Sequence, residues 1–170
     1  MHNYWLSFIS NEDLYNHVKE TVLKYRFNLN LEEFTKNIID PIKLTFDSKV
    51  YNKTVEEVIQ SEVIRQMDKA NNNHIWYFHQ NIFRYFWNWW KVPDEWYDII
   101  NEEQHIYCEM KNKHNTMNSS SSQKTYMRMQ NTLLQDSIAT CYLVEVIAKH
   151  SQNIIWHCSL DWRSVEIGKY

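Results

Sequence analysis

The sequence predicts a mixed α/β domain that is helical up to about Pro93 and strand-rich beyond it. Three observations carry this. Small polar residues followed three positions later by an acid recur through the first half, the apolar period changes from helical to two after Pro93, and one further helical stretch then interrupts the strands. The order is therefore helices, paired strands, helix, strand, which points to a mixed central sheet flanked by helices. A length of 170 residues is that of one domain, so 1–170 is read as a single unit with a mainly helical part, 1–92, and a sheet-bearing part, 93–162.

Each element has a local reason. Ser10 with Asp13, Asn30 with Glu33 and Thr54 with Glu57 supply caps for the free amides of three helix starts. Leu14, Val18, Val22 and Tyr25 then line one helical face, and Phe34, Ile38 and Ile39 a second, with Pro41 kinking it or opening a new segment. Val58, Ile59, Val63 and Met67 predict a third helix over 54–70, closed by Asn71, Asn72 and Asn73. A fourth over 74–86 carries Phe78, Ile82, Phe83 and Phe86. After Pro93, residues 97–100 and 105–111 read as a hairpin around the polar turn 101–104. Ser120 with Gln123 predicts a cap for a helix over 121–135, and 140–148 and 154–160 read as two more strands, the first apolar enough to be central.

Composition excludes several classes. With 44% hydrophobic and 23% charged residues the chain is neither disordered nor fibrous. No apolar stretch approaches the roughly 20 residues needed to span a bilayer, and no basic patch precedes an apolar run at the N-terminus, so a cytoplasmic protein is expected. Cys108, Cys141 and Cys158 form no CxxC pair and read as reduced core residues. A net charge of -3 excludes polyanion binding by bulk charge, although local patches are compatible with it.

The chemistry concentrates in the hairpin. Residues two apart on a strand share a face, so Glu109 and Lys111 project together while Ile106, Cys108 and Met110 face the core. Asp98 precedes them on the partner strand, and the turn brings it beside Glu109. Two carboxylates on rigid strands suit Mg²⁺, which keeps waters for a phosphate substrate, and a neighbouring lysine can orient one of them. An acid and a lysine two apart also make an ordinary solvated strand face, so the charge pattern matters. Residues 94–109 hold six acids and no Lys or Arg, whereas 110–135 hold Lys111, Lys113, Lys124 and Arg128 and no acid. An acidic pocket beside a basic, amide-rich segment is what a nuclease needs, because phosphate contacts hold the duplex while Asn and Ser reach base edges.

The element order, with Asp on one strand and E-x-K on the next, resembles the PD-(D/E)xK nuclease fold. The run Cys108-Glu109-Met110-Lys111-Asn112-Lys113-His114-Asn115-Thr116-Met117-Asn118-Ser119 resembles type II restriction endonucleases that recognise GGNCC or a subset of it. The likeness extends through residues 31–51, 61–75, 78–83 and 141–149. It implies a site-specific deoxyribonuclease with Asp98, Glu109 and Lys111 as catalytic triplet, Mg²⁺ held by Asp98 and Glu109, a homodimer on palindromic double-stranded DNA, and a methyltransferase in the same restriction-modification system. The "PD" is reduced here to Asp98 preceded by Tyr97. Members of that group extend further at the C-terminal end, so a truncated chain is expected; a catalytically inactive DNA-binding remnant is the alternative reading.

Further candidates surround this triplet. Glu62 lies mid-helix in "SEVIRQMDK" and is a candidate fourth carboxylate, or a helix acid paired with Arg65 or Gln66. Lys113, Asn115, Asn118, Ser119, Lys124 and Arg128 are expected to approach DNA. Gln80 reads as a polar face residue, and the aromatic run 83–90 as core. His74 and His79, five apart, do not share a helical face, so no zinc site is expected.

Glycine usage is abnormal: average usage would give about 12, and the chain has one, beside eight tryptophans. In the resembling family glycine stands where this chain has Trp76, Trp87, Trp89, Trp96 and Trp162, whereas Trp5, Trp90 and Trp156 fall where a large apolar residue is plausible. The expectation is that the five positions carry UGA codons that the host reads as glycine.

Overall fold

The computed structural model describes residues 4–86, 90–94, 96–114, 117–160 and 163–167. Five helices and six strands follow in the order α1 (Asn11–Lys24), α2 (Leu31–Thr35), α3 (Pro41–Val50), α4 (Val55–Asn81), β1 (Trp90–Lys91), β2 (Ile99–Asn101), β3 (Ile106–Lys113), α5 (Ser119–Gln135), β4 (Thr140–Ile147), β5 (Trp156–Leu160) and β6 (Arg163–Ile167), with a 3₁₀ turn at Ile82–Tyr85. The chain forms two compact units, Tyr15–Tyr77 and the remainder, Met1–Leu14 with Phe78–Tyr170.

The three predicted caps form. Ser10 Oγ accepts from the Asp13 amide, Asn30 Oδ1 from the Glu33 amide, and Thr54 and Glu57 exchange side-chain and backbone bonds as a capping box. Pro41 opens a new helix, α3, with Asp40 as N-cap, because a proline at N1 lacks only an amide that would have no helical partner. Three expectations need correction. Ile38 and Ile39 do not share a helical face with Phe34, because α2 ends at Thr35 and Ile38 is fully exposed. The asparagine triplet does not end a helix: α4 runs unbroken to Asn81 because these amides bond elsewhere. Asn71 exchanges two hydrogen bonds with the Arg26 backbone, and Asn72 reaches Asp68 one turn back. The cap of α5 is Asn118, whose side chain accepts from the Ser121 amide, and not Ser120, so the helix starts two residues early.

β1, β2 and β3 pair antiparallel in that order and β3 pairs parallel with β4, giving the expected mixed sheet. The parallel pair needs a long crossover, and α5 provides it. Among the described residues β4 pairs with β3 alone and is an end strand. Its apolar run packs Cys141 and Leu143 against the core instead of serving a second neighbour. β5 and β6 form a separate antiparallel ribbon. The core of this unit joins Tyr97, Tyr126, Met129 and Cys158 with Ile100, Tyr107, Leu133 and Trp156. Phe83, Phe86 and Trp90 pack together and Phe86 stacks on Phe8 at 4.2 Å, so these half-buried aromatics pack on one another outside the central core that was expected for them. The cysteines are free thiols, Cys108 and Cys158 buried.

Four non-glycine residues have positive φ: Trp5 (56°), Asn52 (50°), Trp96 (75°) and His105 (53°). Trp96 thus adopts the left-handed backbone that glycine tolerates best, with its side chain 67% exposed. Trp5 does too, although it was expected to stand where a large apolar residue suits. Trp76 lies within α4, where the backbone makes no such demand, and Trp87, Trp89 and Trp162 lie outside the described residues.

Candidate active site

The hairpin sets the site. Ile99 pairs with Cys108, so the register one step on places Asp98 across from Glu109. The Asp98 amide donates to the Cys108 carbonyl at 3.1 Å, and its Oδ2 accepts from the Met110 amide at 2.6 Å. Without glycine, the turn is closed by the Asn101 side chain, which accepts from the Gln104 amide, while His105 takes the left-handed position.

Glu109 is buried despite its charge, which demands partners. Lys111 Nζ donates to Oε1 at 2.7 Å and Arg128 Nη1 to Oε2 at 2.6 Å. Burial pushes the Asp98 carboxyl above its ordinary range, and the charge of Glu109 pushes the same way. The Met110 amide, Lys111 and Arg128 oppose the shift. Two mutually repelling carboxylates, each with oxygen donors only, fit a hard divalent cation. Each carboxylate oxygen has two acceptor directions, so Lys111 and Arg128 leave Glu109 donor capacity. Among the described residues no group of three or more His, Cys, Asp or Glu could hold a metal ion. A pair of carboxylates is nonetheless what Mg²⁺ takes together with water and phosphate.

The end of α4 holds both strands. Gln80, 7% exposed, donates to the Asp98 carbonyl at 2.8 Å, and His79 Nδ1 pairs with the Asn112 side chain at 2.9 Å. The expectation that Gln80 lies on a polar face is therefore corrected: its amide supports the Asp98 peptide. The signal available in sequence was a glutamine among Phe78, Ile82 and Phe83, an apolar context in which a polar group needs a specific partner.

The other candidates separate. Lys113 is exposed at the end of β3, Ser119 and Lys124 are exposed on α5, Asn118 caps that helix, and Asn115 lies outside the described residues. Arg128 turns toward Glu109 and also donates to the Trp96 carbonyl, its guanidinium lying 5.9 Å from the centre of the Tyr97 ring. Arg128 falls between Thr125 and Thr132 at helical spacing, a position that the sheet-facing residues of α5 mark as inward. Glu62 belongs to the other unit, where Arg65 grips its carboxylate at 2.6 Å and holds it below the usual carboxylate range, and Gln66 adds a third bond. Glu145, across from Lys111 on β4, pairs with His114 at 2.7 Å. With Lys111 these two border a cavity of about 910 Å³.

Comparison with known proteins decides the family. The model of the Eco47II restriction endonuclease family matches residues 6–168. The chain belongs to that family. It is 30% identical over 160 residues to the type II restriction enzyme Sau96I of Staphylococcus aureus, covering 92% of this chain and 61% of that enzyme. It is 36% identical over 115 residues to the type II restriction enzyme Eco47II of Escherichia coli, covering 66% and 48%. The chain thus spans about half to three fifths of the length of these relatives. No solved structure matches it. No described helix is long and apolar enough to cross a membrane.

Proposed function

We propose that this chain carries the catalytic machinery of a type II restriction endonuclease, a site-specific deoxyribonuclease that hydrolyses phosphodiester bonds of double-stranded DNA at a GGNCC-like palindrome. The observation that carries the reading is the convergence of Asp98, Glu109 and Lys111 on one hairpin, in a member of a restriction endonuclease family. In this reading Asp98 and Glu109 hold Mg²⁺, which supplies Lewis acidity toward the phosphoryl oxygens and acidifies water. Lys111, anchored on Glu109, orients the attacking water. Glu62 is kept as a further carboxylate, tested by whether Glu62→Gln slows cutting. Lys113, Asn115, Asn118, Ser119 and Lys124 form the DNA-facing segment, the helix start at Asn118 adding free amides for a phosphate. A two-fold homodimer is the simplest reader of a palindrome, and a methyltransferase of the same system protects the host sites.

Incubating the chain with plasmid DNA and Mg²⁺ tests this. Defined fragments that disappear with Glu109→Gln support it; binding without cutting establishes the inactive remnant instead.

A further inference from the structure

We propose that Arg128 is a positioning residue for the Glu109 carboxylate, and that it belongs to the catalytic centre rather than to the DNA-facing surface. The inference rests on the nuclease reading above. One nitrogen of the guanidinium donates both to Glu109 Oε2 and to the carbonyl of Trp96, two residues before Asp98. The guanidinium carbon lies over the Tyr97 ring, and the Tyr97 hydroxyl is itself bonded to Thr132 at 2.7 Å, one helical turn beyond Arg128. Thr132 in turn donates to the Arg128 carbonyl. Arg128 therefore joins three parts at once: strand β3 through Glu109, the segment leading to Asp98 through residues 96 and 97, and helix α5 through its own backbone.

Lys111 alone leaves Glu109 free to rotate about the one bond at Oε1. With Arg128 on Oε2 the carboxylate is held at both oxygens, and both donors leave acceptor directions open for a cation. A lysine does not replace it, because a shorter side chain with no planar group loses the contact with the Tyr97 ring that sets the direction of the bonds to Glu109 Oε2 and the Trp96 carbonyl. Groups of this kind behind a metal ligand typically contribute 10- to 100-fold in metal affinity or activity.

Arg128→Gln and Arg128→Lys are compared with the unaltered chain by calorimetric titration with Mn²⁺ alone, by the kcat and KM of Mg²⁺-dependent plasmid cutting, and by the salt dependence of DNA binding without divalent metal. Both variants are expected to bind Mn²⁺ about tenfold more weakly and to lose 10- to 100-fold in kcat, with KM and the salt slope unchanged. A slope reduced by about one unit makes Arg128 a phosphate contact and overturns the inference. Tighter Mn²⁺ binding makes it a mere counter-charge, and unchanged Mn²⁺ binding and cutting give it no role; either result overturns the inference. Should Arg128→Gln not fold, Arg128→Lys, which keeps the positive charge beside Glu109, carries the test alone. If the unaltered chain neither cuts nor binds Mn²⁺, the nuclease reading fails, and the crystal structure of the variant decides the tie. Glu109 in an unchanged rotamer refutes the positioning role, and a displaced carboxylate upholds that role while the catalytic part of the inference falls with the nuclease reading.

Discussion

Replacing Trp96 by glycine and by alanine separates the backbone demand at this position from its side chain. At φ 75° an L-residue with a Cβ costs roughly 1–2 kcal/mol, and glycine escapes most of that. Glycine's extra freedom in the unfolded chain returns about 0.5–1 kcal/mol of the gain. The indole is two-thirds exposed, so both variants lose the same small burial. Glycine should therefore be more stable than alanine at position 96 by up to about 1.5 kcal/mol, at about 2–4 °C in Tm per kcal/mol for a chain of this size. At Trp76, inside α4, the order should invert, alanine exceeding glycine by about 0.5–1 kcal/mol. Urea unfolding with unchanged m-values reads both pairs. Alanine matching or beating glycine at position 96 would refute the argument that this backbone asks for glycine. The codons give an independent check: UGA at 76 and 96 with UGG at 5, 90 and 156 fits glycine in the native protein, and UGG throughout removes the idea.

Other expectations follow from the same contacts. Asp98→Asn should abolish cutting yet stabilise the fold at neutral pH. A buried carboxyl with a raised pKa is better tolerated protonated, so it lowers stability as pH rises from its unfolded pKa through its folded one, and the variant should lack that decline; a variant less stable at neutral pH contradicts this. Gln80→Met should leave the Asp98 carbonyl without its donor at a cost of about 1–3 kcal/mol, seen as a lower urea midpoint; no change would show the bond to be dispensable. Lys113→Ala and Lys124→Ala should each reduce the salt slope of DNA binding by about 0.9 if each neutralises one phosphate, and unaltered slopes would leave both as solvated surface charges. Light scattering of the chain on its DNA should give the mass of a dimer, and a monomer's mass would exclude the two-fold reading.

Much of this was legible because its causes are local. Caps at Ser10, Asn30 and Thr54 depend on residues three positions apart, and the hairpin that opposes Asp98 and Glu109, 11 residues apart, follows from a short polar turn between two strand-like runs. What escaped depends on partners distant in sequence. Asn71 could not be known to bond Arg26, 45 residues away, and so it looked like a helix stop. Gln80 finds Asp98 across 18 residues and Arg128 finds Glu109 across 19, so each polar side chain looked like surface until the fold supplied its acceptor. β1, two residues long, and β6 have too little pattern to be read.

The connection from β3 to β4 explains why recognition and cutting would be coupled in such a site. The strand that bears Glu109 and Lys111 ends at Lys113, and the helix that bears Arg128 begins at Ser119, with five residues of chain between them. The segment proposed to meet DNA is thus covalently bound to the catalytic strand at one end and to a residue gripping the catalytic carboxylate at the other. If a duplex drew the proposed DNA-facing segment out of place, the displacement would load the Arg128–Glu109 and Tyr97–Thr132 bonds, which tie α5 to the catalytic carboxylate and to the segment leading to Asp98. A duplex that fits leaves both bonds intact. Cutting would then fall more steeply than binding on a poorly matched site, because binding needs only the phosphate contacts whereas hydrolysis also needs the two carboxylates in register.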